Sequence, residues 1–167
     1  CNQISMQDKS LRHVVVIGAG PAGIAAAVCL QSYGIPFTLL ESGPSPLASL
    51  RQIDPSMALL SPTRFKNLPF MQSDTRASAY QQFGIYISQL DRYIDGHRLE
   101  IKSNVQVTRV NQSDNHFDVH TRSGEVIEAT HVINATGIIG SPQLPLSFSP
   151  SAVSFPWKHS LDVRAHD

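Results

Sequence analysis

Hydrophobic and polar positions along the first part of the chain predict alternating strands and helices. The β-branched run at residues 13–17 predicts a strand buried on both faces, and residues 37–41 predict a second strand. Between them, the Ala-rich stretch at residues 24–33 predicts a helix that Gly34 ends. A strand, a glycine-rich turn, a helix and a strand in so short a span indicate a βαβ unit with a parallel sheet.

The second part of the chain changes from helical to alternating spacing. Apolar residues at helical spacing predict a helix over residues 75–95 that ends at Gly96. From Leu99 the period is two, which predicts an antiparallel β-meander with a hairpin turn at Ser123 and Gly124. Its short strands centre on five apolar residues: Val105, Val107, Phe117, Val119 and Val126. Residues 131–137 predict another buried strand, which ends in a glycine.

These elements divide the chain into three segments. Residues 1–12 are polar and predict a flexible arm, residues 13–140 predict one Rossmann-like α/β domain, and the proline-rich residues 141–167 predict a linker. Residues 42–68 show no sustained period and predict a long irregular excursion, whose length favours a functional loop such as a lid over a simple covering loop. Because the chain opens on Cys1 rather than Met, a cloning or truncation boundary is expected rather than a lipidated terminus.

Composition narrows the classes of function. The 167 residues include 13 basic and 13 acidic ones, and this balance argues against a nucleic-acid or acidic-membrane binder. Only Cys1 and Cys29 are cysteines, which excludes a disulfide scaffold, a zinc site of thiolates and a Cys-x-x-Cys redox pair within the sequence. No apolar run approaches the ~20 residues of a membrane span, so a cytoplasmic chain is expected. The charged fraction of 16% is below the usual ~25%, which predicts surface that another part of the protein covers.

The strongest chemical signal is the motif Gly18-x-Gly20-x-x-Gly23, which directly follows a predicted strand and opens a predicted helix. In a dinucleotide-binding turn the first glycine permits the tight turn, the second admits the pyrophosphate, and the third lets the helix pack on the strand. The helix N-terminus adds free N–H groups and a partial positive charge. Glu41 ends the second predicted strand, where a carboxylate accepts hydrogen bonds from ribose hydroxyls and repels a 2′-phosphate. A dinucleotide other than NADP is therefore expected at this site.

A family resemblance narrows the choice of dinucleotide. Residues 14–23 read VVVIGAGPAG and resemble the opening of FAD-dependent two-dinucleotide-domain oxidoreductases. Residues 53–64 and 104–110 resemble segments of the flavin-containing monooxygenase-like branch, and residues 134–137 resemble the strand end where the chain leaves the FAD domain. The resemblance implies FAD, with its pyrophosphate on the glycine turn, its ribose on Glu41, its adenine at Val107 and its flavin end near Thr136. The implied cofactor-binding residues are Gly18, Gly20, Pro21, Ala22, Gly23, Glu41, Ser42, Val107, Ala135, Thr136 and Gly137.

The resemblance also implies a function. It indicates the FAD-binding portion of an oxidoreductase linked to NADP(H) or NAD(H), monooxygenase-like, whose NADPH-binding domain would follow the linker and is not in this sequence. Two alternatives stay open: a flavin reductase or dehydrogenase of the same fold without oxygen chemistry, and a non-catalytic nucleotide-binding module. The absence of cysteine from residues 43–60 and 157–160 argues against the dithiol reductase branches. Catalytic residues, substrate and oligomeric state are not assigned.

Three features depart from a simple picture. Residues 47–51 lack the Gly-Gly-x-Trp of the monooxygenase-like branch, and residues 155–159 do not match the Baeyer–Villiger fingerprint. His116, Asp118 and His120 alternate along one predicted strand, as ligands of a metal ion could. We favour the solvent face of a strand for these three side chains, because alternate residues of a strand point the same way while their neighbours Phe117 and Val119 face the core.

Overall fold

The computed structural model describes residues 13–71, 80–140, 149–152, 154–156, 159, 162 and 164. Helix α1 spans Pro21–Ser32 and helix α2 spans Phe83–His97. Short 3-10 helices lie at Leu50–Gln52, Thr63–Phe65 and Pro150–Ala152. The strands of the described residues are β1 Val14–Ile17, β2 Phe37–Leu40, β3 Ala58–Pro62, β4 Tyr80–Gln82, β5 Ile101–Lys102, β6 Val107–Gln112, β7 Phe117–Thr121, β8 Val126–Ala129 and β9 His131–Asn134.

The central sheet is parallel, with strand order β5–β2–β1–β9. Strand β1 is buried along its whole length, as its β-branched sequence predicts, because it is paired on both edges and covered on both faces. Ile17, its last residue, lies opposite Leu40 of β2 and Asn134 of β9. The carboxyl ends of three strands therefore lie side by side, and the segments that follow them meet at one edge of the sheet. The predicted α/β fold with a parallel sheet is confirmed.

Alternate residues of β1 pack on opposite faces of this sheet. Val14 and Val16 pack with Ala27 of α1, whereas Val15 and Ile17 pack with Val119 of the second sheet. That second sheet is the predicted antiparallel meander, with order β6–β7–β8. On the helical side, α1 and α2 share the largest apolar cluster of the described residues: Ile24, Val28, Leu47, Leu50, Tyr86, Ile87, Leu90, Tyr93 and Ile94. The domain thus has an antiparallel sheet, a parallel sheet and a helical layer.

The predicted start of the second helix is wrong. Helix α2 begins at Phe83 rather than at residue 75, because β4 pairs with β3 immediately before it. The first turn of the helix is fixed by hydrogen bonds from the N–H groups of Phe83 and Gly84 to the carbonyls of Met57 and Pro55. A long-range strand pairing thus overrides the local helical spacing. Residues 75–79 lie outside the described residues.

Three further boundaries differ from the expectation. Helix α2 runs through Gly96 and ends at His97, and its C-cap Arg98 has a left-handed backbone. The excursion at residues 42–68 contains strand β3 and two 3-10 helices, so it is less irregular than its sequence suggests. Strand β9 is the outer strand of the described parallel sheet, and its residues His131 and Asn134 are exposed. Its apolar sequence predicts a buried strand, which is wrong at its ends. Val132 and Ile133 are half-buried, whereas the two end residues are exposed because the described sheet has no strand beyond β9 to pack beside them.

The remaining expectations concern the chain ends, membrane-spanning helices and a metal site. The predicted arm at residues 1–12 and most of the predicted linker at residues 141–167 lie outside the described residues. Within the described part of the chain, neither helix is long and apolar enough to cross a membrane. His116 lies 3.3 Å from a carboxylate oxygen of Asp118, while the His120 ring lies 3.1 Å from the Asn111 amide. No group of three His, Cys, Asp or Glu side chains among the described residues is placed to hold a metal ion.

Candidate functional site

The glycine turn after β1 is packed between the ends of its two neighbouring strands. The N–H of Gly18 donates to the carbonyl of Leu40 over 2.7 Å, and Gly18 has a φ of +101°. A Cβ at Gly18 would lie 2.5 Å from the carbonyl oxygen of Ala135. A Cβ at Gly23 would overlap the carbonyl oxygen of Gly18. Only glycine therefore allows the turn to lie this close both to the segment after β9 and to helix α1.

Gly20 faces open space instead. No described atom lies within 4 Å of a Cβ built on Gly20, which is the N-cap of α1. Among the described residues, the N–H groups of Gly20, Ala22 and Gly23 make no hydrogen bond, and Pro21 has no N–H. The start of α1 thus presents three unpaired donors and the positive end of the helix dipole beside an open surface. This arrangement suits a phosphate group.

Glu41 connects the glycine turn to the end of β2. Its carboxylate is buried, with 8% of the residue exposed. One oxygen accepts a hydrogen bond from the N–H of Ala19 over 2.9 Å. The other accepts from the N–H of Gly43 over 2.8 Å and from the Ser42 hydroxyl over 3.2 Å. Because two carboxylate oxygens offer about four acceptor positions, these three bonds leave room for about one more donor.

The loop that follows Glu41 folds back onto the turn. The N–H of Leu47 donates to the carbonyl of Ala19 over 3.0 Å, and a Cβ at Gly43 would overlap the Cβ of Ala48. Leu47 is fully buried and has a φ of +61°. Sequence reasoning missed Leu47 and Ala19 because neither residue type signals a role in a turn. Gly43 could have been found, since a glycine two residues after Glu41 permits a close return of the chain.

The segment after β9 closes the other side of the site. The N–H of Ala135 donates to the carbonyl of Ile17 over 2.9 Å, which continues the parallel ladder beyond β9. Asn134 then accepts two hydrogen bonds from Thr136, from its N–H over 3.2 Å and from its hydroxyl over 2.9 Å. Gly137 has a φ of +69°, and both Thr136 and Gly137 are exposed. The structure therefore brings Ala135, Thr136 and Gly137 to the same edge as the glycine turn.

Val107 lies at the start of β6, on the side of the second sheet. It is half-buried and packs against the cluster that contains Ile17 and Leu40. The connection that leads to it runs beside Glu41, since the N–H of Val105 donates to the Glu41 carbonyl over 2.8 Å. Asn104 likewise donates to the carbonyl of Gly43 over 2.8 Å. All the cofactor-binding residues predicted from sequence thus follow β1, β2 and β9 or belong to this neighbouring strand.

A separate cavity lies away from this edge of the sheet. It has a volume of about 760 Å³ and is lined by the outer face of α2 and the loop before residue 72, including Phe70, Arg92 and His97. Burial raises the pKa of Tyr93 at this wall, and the nearby Cys29 raises it further. None of the predicted cofactor-binding residues lines this cavity.

Residues 15–157 match the family model of the pyridine nucleotide-disulphide oxidoreductases. The chain belongs to this family. Although the family is described by its disulphide chemistry, Cys29 of α1 is the one cysteine in the described residues. The family's parallel sheet and glycine turn, rather than a cysteine pair, are thus what the described part of the chain contains.

Individual proteins give a more detailed likeness. Indole-3-pyruvate monooxygenase YUCCA1 of Oryza sativa subsp. japonica is 29% identical over 134 residues, which cover 78% of this chain and 33% of that protein. Probable indole-3-pyruvate monooxygenase YUCCA10 of Arabidopsis thaliana is 30% identical over 142 residues, which cover 80% of this chain and 37% of that protein. A solved structure of a flavin monooxygenase variant from Stenotrophomonas maltophilia superposes with a TM-score of 0.79 at 25% identity, covering 92% of this chain and 46% of that one.

These likenesses confirm the predicted resemblance to flavin monooxygenase-like oxidoreductases. They also set its extent, because the chain spans about a third of the length of the two curated relatives. It spans just under half of the solved structure. The likeness therefore concerns a part of each of these proteins.

Proposed function

We propose that this chain forms the FAD-binding part of a flavin oxidoreductase linked to NADP(H) or NAD(H), of the monooxygenase kind. The observation that carries the proposal is the meeting of an open Gly20, three unpaired N–H groups and the buried Glu41 at one edge of the sheet. The likeness to proteins named as monooxygenases favours FAD over NAD at this edge. Residues 13–140 form the domain that binds it.

The described residues fit FAD in its main parts. The open space at Gly20 and the free N–H groups at the start of α1 suit the pyrophosphate, with Pro21 and Ala22 beside it. Glu41 and Ser42 would hold the ribose, Val107 the adenine, and residues 135–137 the flavin end. A bound flavin would supply hydride and electron transfer, which protein side chains do not provide.

Charge at Glu41 sets which dinucleotide the site accepts. A carboxylate held by three protein donors at the end of β2 attracts the hydroxyls of an unmodified ribose. It repels a 2′-phosphate, because like charges at close range in a partly buried site are costly. NADP(H) would therefore bind at another place in the whole protein. A cytoplasmic location stays a prediction that rests on the sparse cysteine content of the sequence.

The proposal is tested by binding to the purified chain. Titration with FAD, followed by quenching of flavin fluorescence, should show saturable uptake and the visible absorption of a bound oxidised flavin. FMN lacks the adenosine monophosphate half, that is, the adenosine and one of the two phosphates, so we expect it to bind at least about tenfold more weakly, which is about 1.4 kcal/mol. Glu41→Ala should weaken FAD binding by about 1–3 kcal/mol, whereas Glu100→Ala, an exposed glutamate, should not.

Two results would overturn the proposal. A chain that folds but takes up no FAD would remove the flavin assignment. Equal affinity for FAD and FMN would show that the glycine turn and Glu41 do not recognise the adenosine and the second phosphate. Binding of NAD as tight as that of FAD would instead favour a nucleotide-binding module without flavin specificity, which the absence of Gly-Gly-x-Trp from residues 47–51 also favours.

A further inference from the structure

Leu47 holds an unusual backbone conformation in the loop behind the glycine turn. Four non-glycine residues of the described chain have positive φ values: Leu47, Phe70, Arg98 and Asn104. Of these, Phe70, Arg98 and Asn104 are exposed, whereas Leu47 is fully buried. The left-handed region is unfavourable for a residue with a bulky side chain, so other contacts must stabilise it here.

Those contacts come from both the side chain and the backbone of Leu47. The side chain belongs to the apolar cluster between the helices, together with Ile24 of α1 and Leu90 of α2. The backbone N–H donates to the carbonyl of Ala19 over 3.0 Å. Burial of the side chain therefore stabilises the φ that directs this N–H at the glycine turn.

Ala19 is consequently held from two separate segments. Its carbonyl accepts from Leu47, and its N–H donates to the buried carboxylate of Glu41 over 2.9 Å. Ala19 is itself fully buried. Since both of its backbone groups are occupied, Ala19 is not a donor for a ligand, and the free donors of the turn are those of Gly20, Ala22 and Gly23.

We propose that Leu47 is a positioning residue for the pyrophosphate site, which rests on the proposed function. By fixing the carbonyl of Ala19, Leu47 holds the glycine turn in its ligand-ready shape before any nucleotide arrives. Residues 47–51 of this loop contain no glycine. Burial of the Leu47 side chain stabilises the left-handed backbone conformation, which a glycine adopts without a steric penalty. Such preorganisation tightens binding because less ordering remains to be done in the complex.

A matched pair of variants separates the backbone effect from the loss of the side chain. Leu47→Ala and Leu47→Gly both remove the buried side chain, but only glycine adopts the left-handed conformation without a steric penalty. When the competent conformation is partly populated, the apparent dissociation constant rises by the inverse of that population. We therefore expect Leu47→Ala to bind FAD at least about fivefold more weakly than Leu47→Gly. Leu50→Ala, a buried leucine of the same cluster, serves as the packing control and should leave FAD affinity within about twofold of the unsubstituted chain.

A second measurement needs no variant and no ligand. Hydrogen exchange of the unsubstituted chain without nucleotide should show the Leu47 and Ala19 amides protected, and the Gly20 and Ala22 amides exchanging fast. A fast-exchanging Leu47 amide would overturn the proposal whether or not FAD binds. So would equal FAD affinity of Leu47→Ala and Leu47→Gly, or an equal loss in Leu50→Ala, which would assign the effect to packing alone. Protected amides in a chain that takes up no FAD would refute the proposed function and leave the role of Leu47 in the turn intact.

Discussion

Two regions of the molecule differ in how far their apolar side chains are buried. In the glycine-turn region, residues 18–47, Ala19 and Leu47 are fully buried and the one carboxylate of the turn is bonded on both oxygens. In the β3 segment, residues 57–70, Leu60 is 95% exposed and Phe65 is 69% exposed. The first region is therefore completed by contacts within this chain. The second presents apolar side chains that the described residues leave largely exposed, in line with the low charged fraction of 16%.

The largest combined effect, on stability and on FAD uptake, is expected from adding a side chain at Gly23. Gly23→Ala places a Cβ on the backbone carbonyl oxygen of Gly18, so either the turn or α1 must move. We expect the free energy of unfolding to fall by roughly 3 kcal/mol, as in severe overpacking, and FAD uptake to be lost. Denaturant unfolding and flavin titration measure the two effects.

Gly96→Ala is the matched control for this substitution. Gly96 also lies in a helix, but nothing is within 4 Å of its Cβ position. Alanine there should stabilise the protein by up to about 1 kcal/mol, because it favours the helical conformation. If both variants lost stability alike, the close approach of α1 to the turn would not be what distinguishes this region.

A smaller loss of stability is expected when one oxygen of the Glu41 carboxylate is replaced by an NH₂ group. Glu41→Gln keeps the shape of the side chain, but an amide has only one acceptor oxygen. Either the N–H of Ala19 or that of Gly43 then faces an NH₂ group. Leaving a buried donor unpaired costs about 1–3 kcal/mol, which denaturant unfolding would measure. An unchanged free energy of unfolding would show that the carboxylate does not organise the turn.

The same two regions show what the sequence can predict. The strand before Gly18, the turn and α1 follow from patterns confined to a few neighbouring residues. The strand predicted at residues 13–17 spans Val14–Ile17, and the helix predicted at residues 24–33 spans Pro21–Ser32 and so begins three residues earlier. The left-handed φ of Leu47 depends on a partner 28 positions earlier in the chain, Ala19, and no local pattern signals it. Strand β4 likewise exists because it pairs with β3, which helical spacing at residues 75–95 conceals. Long-range hydrogen bonds thus separate what could be predicted from what could not.

An alkaline titration tests the burial of Tyr86, where the β3 segment contacts α2. The Lys66 ammonium lies 5.8 Å from the centre of the Tyr86 ring, and burial raises the pKa of Tyr86. In the unfolded chain the tyrosine hydroxyl ionises near pH 10, whereas in the folded chain Tyr86 keeps its hydroxyl proton to a higher pH. The unfolded state is therefore favoured as the pH rises from about 10 through the raised pKa, and the free energy of unfolding falls in that window.

Tyr86→Phe removes the titrating group, so it should flatten this fall. At pH 7 both side chains are neutral, and we expect the two proteins to differ by less than about 1 kcal/mol. Unfolding measured from pH 8 to pH 11 checks both points. An unaltered alkaline slope in Tyr86→Phe would mean that Tyr86 is as accessible to water in the folded chain as in the unfolded one.

The smallest change in stability is expected at Leu60, where the difference in burial between the two regions can be tested directly. A side chain that is 95% exposed gains almost nothing from burial on folding, so Leu60→Ala should change the free energy of unfolding by no more than about 0.5 kcal/mol. Leu39→Ala, at a leucine that is 1% exposed, should cost about 2–5 kcal/mol in the same measurement. A cost at Leu60 approaching that at Leu39 would show that the β3 segment is covered in solution. The two regions would then differ in which part of the protein completes them. The glycine-turn region is closed by Glu41 and Leu47, whereas the residues that cover Leu60 would lie outside the described ones.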